Sequence, residues 1–116
     1  MVSRRAAIAA AILLAAAPAA AHHGWSSYDS SKLVKLAGVV RAIDVGNPHA
    51  EMRLEAEGKT WHIILSPPSR MEARGLPATT IKVGEQASVE GYVSKSDPDE
   101  LRAERVSHGE KTIELR

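Results

Sequence analysis

Residues 50–65 alternate apolar and polar side chains with a period of two, the pattern of half-buried strands. Met52, Leu54 and Ala56 fall on one face, and Glu51, Arg53 and Glu55 on the other. Trp61, Ile63 and Leu65 repeat the alternation after Glu57-Gly58, a dipeptide suited to a two-residue hairpin turn. That turn sets Leu54 against Trp61, Met52 against Ile63, Arg53 against His62 and His49 opposite Ser66. The apolar members then share one face, which specifies the register. Trp61 is expected in the core.

The pattern elsewhere is less regular. Residues 33–45 form a long apolar-rich run whose alternation breaks near Gly38, predicting a bulge or sharp bend, and Gly46-Asn47-Pro48 ends it with turn chemistry. Residues 66–75 read as a short helix, with Ser66 as cap, prolines in the first turn and Gly75 closing it. Residues 81–93 give another strand with Gly84 near its start, and 94–100 a loop carrying Asp97-Pro98-Asp99. In residues 101–107, Leu101, Ala103 and Arg105 oppose Arg102, Glu104 and Val106, and the pattern does not decide which set faces the core. A turn at 108–111 and a last strand at 112–115 complete the chain. A long bent strand, a hairpin, a short helix and further strands is the order of an OB-like small barrel, all-β with one short helix, with one strand added. A small open antiparallel sandwich or roll is the second architecture the order permits.

The first 32 residues stand apart. Residues 1–21 read as a cleaved signal peptide: Arg4 and Arg5, an apolar run, then Ala19-Ala20-Ala21 as the cleavage pattern. The run is shorter than the ~20 apolar residues a bilayer span needs, so no membrane insertion of the mature chain is expected. Residues 22–32 form a polar N-terminal arm, which Trp25 and Tyr28 are placed to pin down, and residues 33–116 the barrel domain. The expected location is periplasmic or secreted. The formal charge of +1 becomes −1 without Arg4 and Arg5, and no basic patch marks a nucleic-acid partner. There is no cysteine, so an exported domain of this kind depends on its core alone.

His22-His23-Gly24-Trp25, Gly46-Asn47-Pro48-His49, Pro67-Pro68-Ser69-Arg70, Arg74-Gly75-Leu76, Val83-Gly84-Glu85, Val89-Glu90-Gly91-Tyr92 and Arg102-Ala103-Glu104 are distinctive as a set. Together they resemble an uncharacterised family of small exported bacterial proteins, a domain of unknown function. The resemblance spans nearly the whole mature chain. It implies export, a single domain and a site shared among the matched loops, and it implies no activity.

Two constellations carry chemistry. Cleavage after Ala21 would expose a terminal amine beside His22 and His23, a nitrogen-rich donor set that favours Cu(II), with His49 as a third residue. The second is a polar pocket at one end of the barrel, where Asn47, His49, Ser66, Ser69 and Arg70 converge by the hairpin register; it suits a small anion. A histidine set beside Arg70 would count against metal there, because cations repel. His62 is expected on the outer face beside Arg53, and Met71 as core filler. No nucleophile–base pair, Gly-x-Ser-x-Gly elbow or phosphate loop is present, which points away from an enzyme. The leading expectation is a periplasmic metal-binding protein that sequesters or delivers copper, its partners a metal ion or a periplasmic protein. The alternative is a metal-free OB-like binding module for a small anionic ligand or a protein partner.

Overall fold

In the computed structural model the described residues are 24–116; the leader and both His22 and His23 lie outside them. Six strands follow in chain order: β1 (Val34–Asp44), β2 (Glu51–Ala56), β3 (Lys59–Ile64), β4 (Gln86–Val93), β5 (Glu100–His108) and β6 (Lys111–Glu114). A helix, α1 (Pro68–Ala73), and a 3-10 turn (Ala78–Thr80) lie between β3 and β4, and a second 3-10 turn (Trp25–Ser27) precedes β1. The sheet runs β3-β2-β1-β4-β5-β6, and a parallel β3–β5 pairing closes the first five strands into a barrel. This is the OB-like arrangement, with β6 added outside it.

Glu57 and Gly58 both have positive φ, 53° and 77°, as a tight hairpin turn between twisted strands requires. The pairs Leu54↔Trp61, Met52↔Ile63 and Arg53↔His62 follow. Met52, Leu54, Ile63 and Leu65 enter the core with Val40, Met71, Ile81 and Leu101, while Trp61 donates its ring N–H to the Ala56 carbonyl, 3.2 Å.

Two irregularities account for the broken patterns. In β1 the pairing with β2 slips between Val40 and Ala42, so the bulged residue is Arg41 and not Gly38. Gly38 serves a different purpose: a Cβ there would lie 1.9 Å from the Glu55 carbonyl oxygen. In β5, Gly91 of β4 faces Ala103 while Glu90 faces Arg105, so Glu104 is an extra residue. The bulge shifts the parity. Leu101, Ala103 and Val106 all point inward, and neither of the two sets read from the alternation is correct as a whole.

Ser66 does not cap the helix, as the sequence suggested. The cap position is Pro67, without a side-chain hydrogen bond, and Ser66 is buried instead. The helix closes at Gly75, φ 94°, as expected. The arm folds back along the barrel. Tyr28 bridges to Ser94, the Asp29 N–H donates to the Val93 carbonyl, and the Lys95 N–H donates to the Ser27 carbonyl. Among the described residues no helix is long and apolar enough to cross a membrane.

Candidate functional site

Arg102 is the centre of the polar end of the barrel. Its neighbours Leu101 and Ala103 belong to the core, so Arg102 leaves β5 on the outer face. It is nevertheless only 8% exposed, because the folded-back arm covers it. Its guanidinium carbon lies 4.5 Å from the centre of the Trp25 ring and 5.9 Å from that of Tyr28. Arg116 brings a second guanidinium to 4.4 Å from the Trp25 ring, and Tyr92 meets the same ring edge-on at 6.2 Å. Cation–π contact of this kind holds the arm down. The Tyr28 hydroxyl adds a 2.6 Å hydrogen bond to Glu100 Oε2. Burial, reinforced by that bond, raises the Tyr28 pKa well above the ordinary phenol value.

His49 sits at the same end. Arg102 Nη2 is 3.3 Å from His49 Nε2. A guanidinium can only donate, so Nε2 accepts and the ring proton of neutral His49 is on Nδ1. The histidine therefore stands beside an arginine, although Arg102 and not Arg70. A metal at Nε2 would have to displace that bond and endure the neighbouring cations. Among the described residues, the neighbour at His49 Nε2 is thus a cation. Among the described residues no group of three His, Cys, Asp or Glu side chains is arranged to hold one.

The charges at this end are unbalanced. Arg116 pairs with Glu104 at 3.4 Å, and Arg70 donates to the Leu115 carbonyl at 3.1 Å. Neither Arg70 nor Arg102 has a carboxylate within 4.0 Å among the described residues. Burial lowers the Arg102 pKa, with repulsion from Arg70 and Arg116 adding to it and Tyr28 opposing. Two buried side-chain atoms, Arg102 Nε and Ser66 Oγ, have no hydrogen-bond partner among the described residues.

A separate chain of contacts runs from the β2–β3 face to this end. His62 contacts Glu51 through Nε2 and Glu100 through Nδ1, the latter at 3.5 Å, and Glu100 in turn receives the Tyr28 hydroxyl. His62 does lie opposite Arg53, but its ring is engaged by the two acids and is half-buried. The acids sit on opposite ring nitrogens, so they cannot converge on one ion.

Of the residues singled out from the sequence, His49, Ser66 and Arg70 come to the Arg102 end, while Asn47 and Ser69 lie on the surface. His22 and His23 lie outside the described residues. Trp25 packs against the arginines and Trp61 is buried. Arg102 and Arg116 were not read from the sequence as site residues. The matched Arg102-Ala103-Glu104 stretch was the one available signal, and the undecided face of that strand concealed it. One cleft of about 500 Å³ borders this end, lined by Ser27, Tyr28 and Glu100, and another of about 610 Å³ runs past Gly38, Gln86, Ser107 and Gly109, towards the other end of β5.

The chain belongs to a family of unknown function, DUF6152, whose profile matches residues 10–101. No curated protein matches it. Among solved structures it is similar to the ZRD-deleted mutant of TiaS in complex with agmatine, with a TM-score of 0.53 and 14% identity. The alignment covers 75% of this chain and 27% of that one, so the chain spans about a quarter of that protein's length. At this identity the likeness concerns the fold alone.

Proposed function

We propose that this chain is an exported, metal-free OB-like binding module that takes a small anionic ligand at the arginine-lined end of its barrel. One observation carries the reading: Arg102 is buried with no carboxylate in ion-pair range, and Arg70 and Arg116 add to its field. Leaving a charge out of water without a counter-charge costs several kcal/mol. A ligand that supplies the missing negative charge recovers that cost, and an OB-like barrel commonly binds at this kind of loop-flanked end.

The competing reading is copper delivery through His22 and His23. It needs cleavage after Ala21, and it loses His49 as a ready third ligand because Nε2 accepts from Arg102. Calorimetry on protein recovered after export, its N-terminus fixed by intact mass, separates the two. The probes are succinate, inorganic phosphate and Cu(II) with a competing chelator, against chloride at equal ionic strength. The expected result is saturable binding of succinate or phosphate, lost in Arg102→Gln. No saturable anion binding, together with copper binding that disappears when the terminus is blocked, would sink the proposal.

A further inference from the structure

We infer that Arg102 Nε and Ser66 Oγ are two halves of one internal oxyanion seat, roofed by Trp25, and that the seat takes a carboxylate or phosphoryl group. This rests on the anion-binding reading above and names where in the site the anion is held.

The register brings the two residues to the same end of the barrel. Ser66 lies just beyond the end of β3, next to the core residue Leu65, and is itself buried. The parallel pairing sets Arg102 level with Ile64. Arg102 then reaches forward to His49, which lies across the hairpin from Ser66: the Ala50 N–H donates to the Ser66 carbonyl at 3.0 Å. Arg102 thus contacts His49 while Ser66 lies across from the same stretch of chain, and both residues are more than nine-tenths buried. Buried polar groups without partners are uncommon in folded proteins, and two at one end of one barrel point to a shared occupant.

The chemistry of the occupant follows. Arg102 Nε has only a proton to give, so the occupant must accept. Nε–H and one N–H of Nη2 form the side-on edge of the guanidinium fork, and Nη2, which carries two N–H groups, also contacts His49. That edge matches two oxygens of a carboxylate or phosphoryl group. A water could accept the same bonds. It would still leave Arg102 and Arg70 with no carboxylate in ion-pair range among the described residues. Arg116 is exposed and lies outside the roof, where it suits a second negative charge on the same ligand. A dicarboxylate should therefore bind more tightly than a monocarboxylate. Because the Nε atom is inaccessible under the arm, the ligand enters only when Trp25 lifts.

The test is an arginine side-chain ¹⁵N–¹H titration of the full chain with sodium acetate, phosphate and succinate, chloride balancing ionic strength. The Arg102 Nε–H resonance, assigned by its loss in Arg102→Lys, should move saturably, with succinate tighter than acetate and Trp25 fluorescence changing in step. Removing the fork in Arg102→Lys should weaken succinate roughly tenfold or more, and Ser66→Ala severalfold, as expected for hydrogen bonds to a charged partner. Should Arg102→Lys not fold, the resonance shift and Ser66→Ala decide alone. Saturable anion binding that leaves the Nε–H resonance unmoved and is unchanged in Ser66→Ala overturns the seat, assigns its place to water, and leaves the wider anion reading intact. No saturable binding of any anion overturns that reading as well.

Discussion

Gly91→Ala tests how the barrel positions its buried arginine. Gly91 lies in β4 where the pairing with β5 slips, and a Cβ built there would be 2.0 Å from the Arg102 carbonyl oxygen and 2.8 Å from Ala103 Cα. Both atoms are backbone, so no side chain can turn away. Real Cβ contacts essentially never fall below 3.0 Å, which leaves about an ångström to be found by moving β5 away from β4. Strands pair at about 4.8 Å, and an opening of that size pulls neighbouring N–H···O bonds past useful length. Losing two such bonds, each leaving buried groups unpaired at about 1–3 kcal/mol, predicts a cost of about 2–5 kcal/mol. For a domain whose whole stability is on the order of 5–14 kcal/mol, this is a large share. The thermal midpoint should fall by roughly 10 °C or more. Gly109→Ala is the control: its φ is 61° but nothing lies within 4 Å, so only the local backbone penalty of about 1–2 kcal/mol applies. Urea melts of both variants decide the matter. A loss below about 1 kcal/mol for Gly91→Ala at unchanged slope would refute the close-approach argument.

Trp61→Ala should cost ~3–5 kcal/mol in the same melts, since it empties the hairpin's largest core position and leaves the Ala56 carbonyl without its donor. Tyr28 has a folded-state pKa raised above its unfolded value, so its contribution is complete below about pH 10 and declines as the pH climbs past that value. Tyr28→Phe should accordingly lower the midpoint at pH 7 and flatten the loss of stability above about pH 10, read by melts from about pH 9 upward.

The hairpin was legible because its two strands alternate without interruption and its turn dipeptide is short. Register, buried face and turn conformation all followed from local chemistry. The barrel's closure was legible only as an order of elements, since the parallel β3–β5 contact joins residues about forty positions apart. The bulges at Arg41 and Glu104 were not legible. Each inserts a residue whose effect depends on the partner strand, and neither carries a glycine to mark it. The polar end was half legible. His49, Ser66 and Arg70 came from the hairpin register and the helix start, but Arg102 stood on the strand whose parity the bulge disguised. Its burial comes from the arm, a contact between Trp25 and residues more than seventy positions away. Periodicity has no access to such a contact.

The sixth strand has a consequence for how molecules of this chain meet one another. A closed barrel offers no exposed backbone ladder, but β6 pairs on one side only and restores an edge. Unpaired edges template pairing between chains. Here the helix supplies the seal: Arg74 Nη1 donates to the Glu114 carbonyl at 2.7 Å and the Arg116 carbonyl at 3.1 Å, Arg70 donates to the Leu115 carbonyl, and Lys111 Nζ donates back to the Gly75 carbonyl at 2.9 Å. Carbonyls that a neighbouring strand would need are taken by cationic side chains, which also repel the same seal on a second molecule. Helix arginines thus occupy carbonyls along this edge, and Arg70 serves at once there and in the field around Arg102.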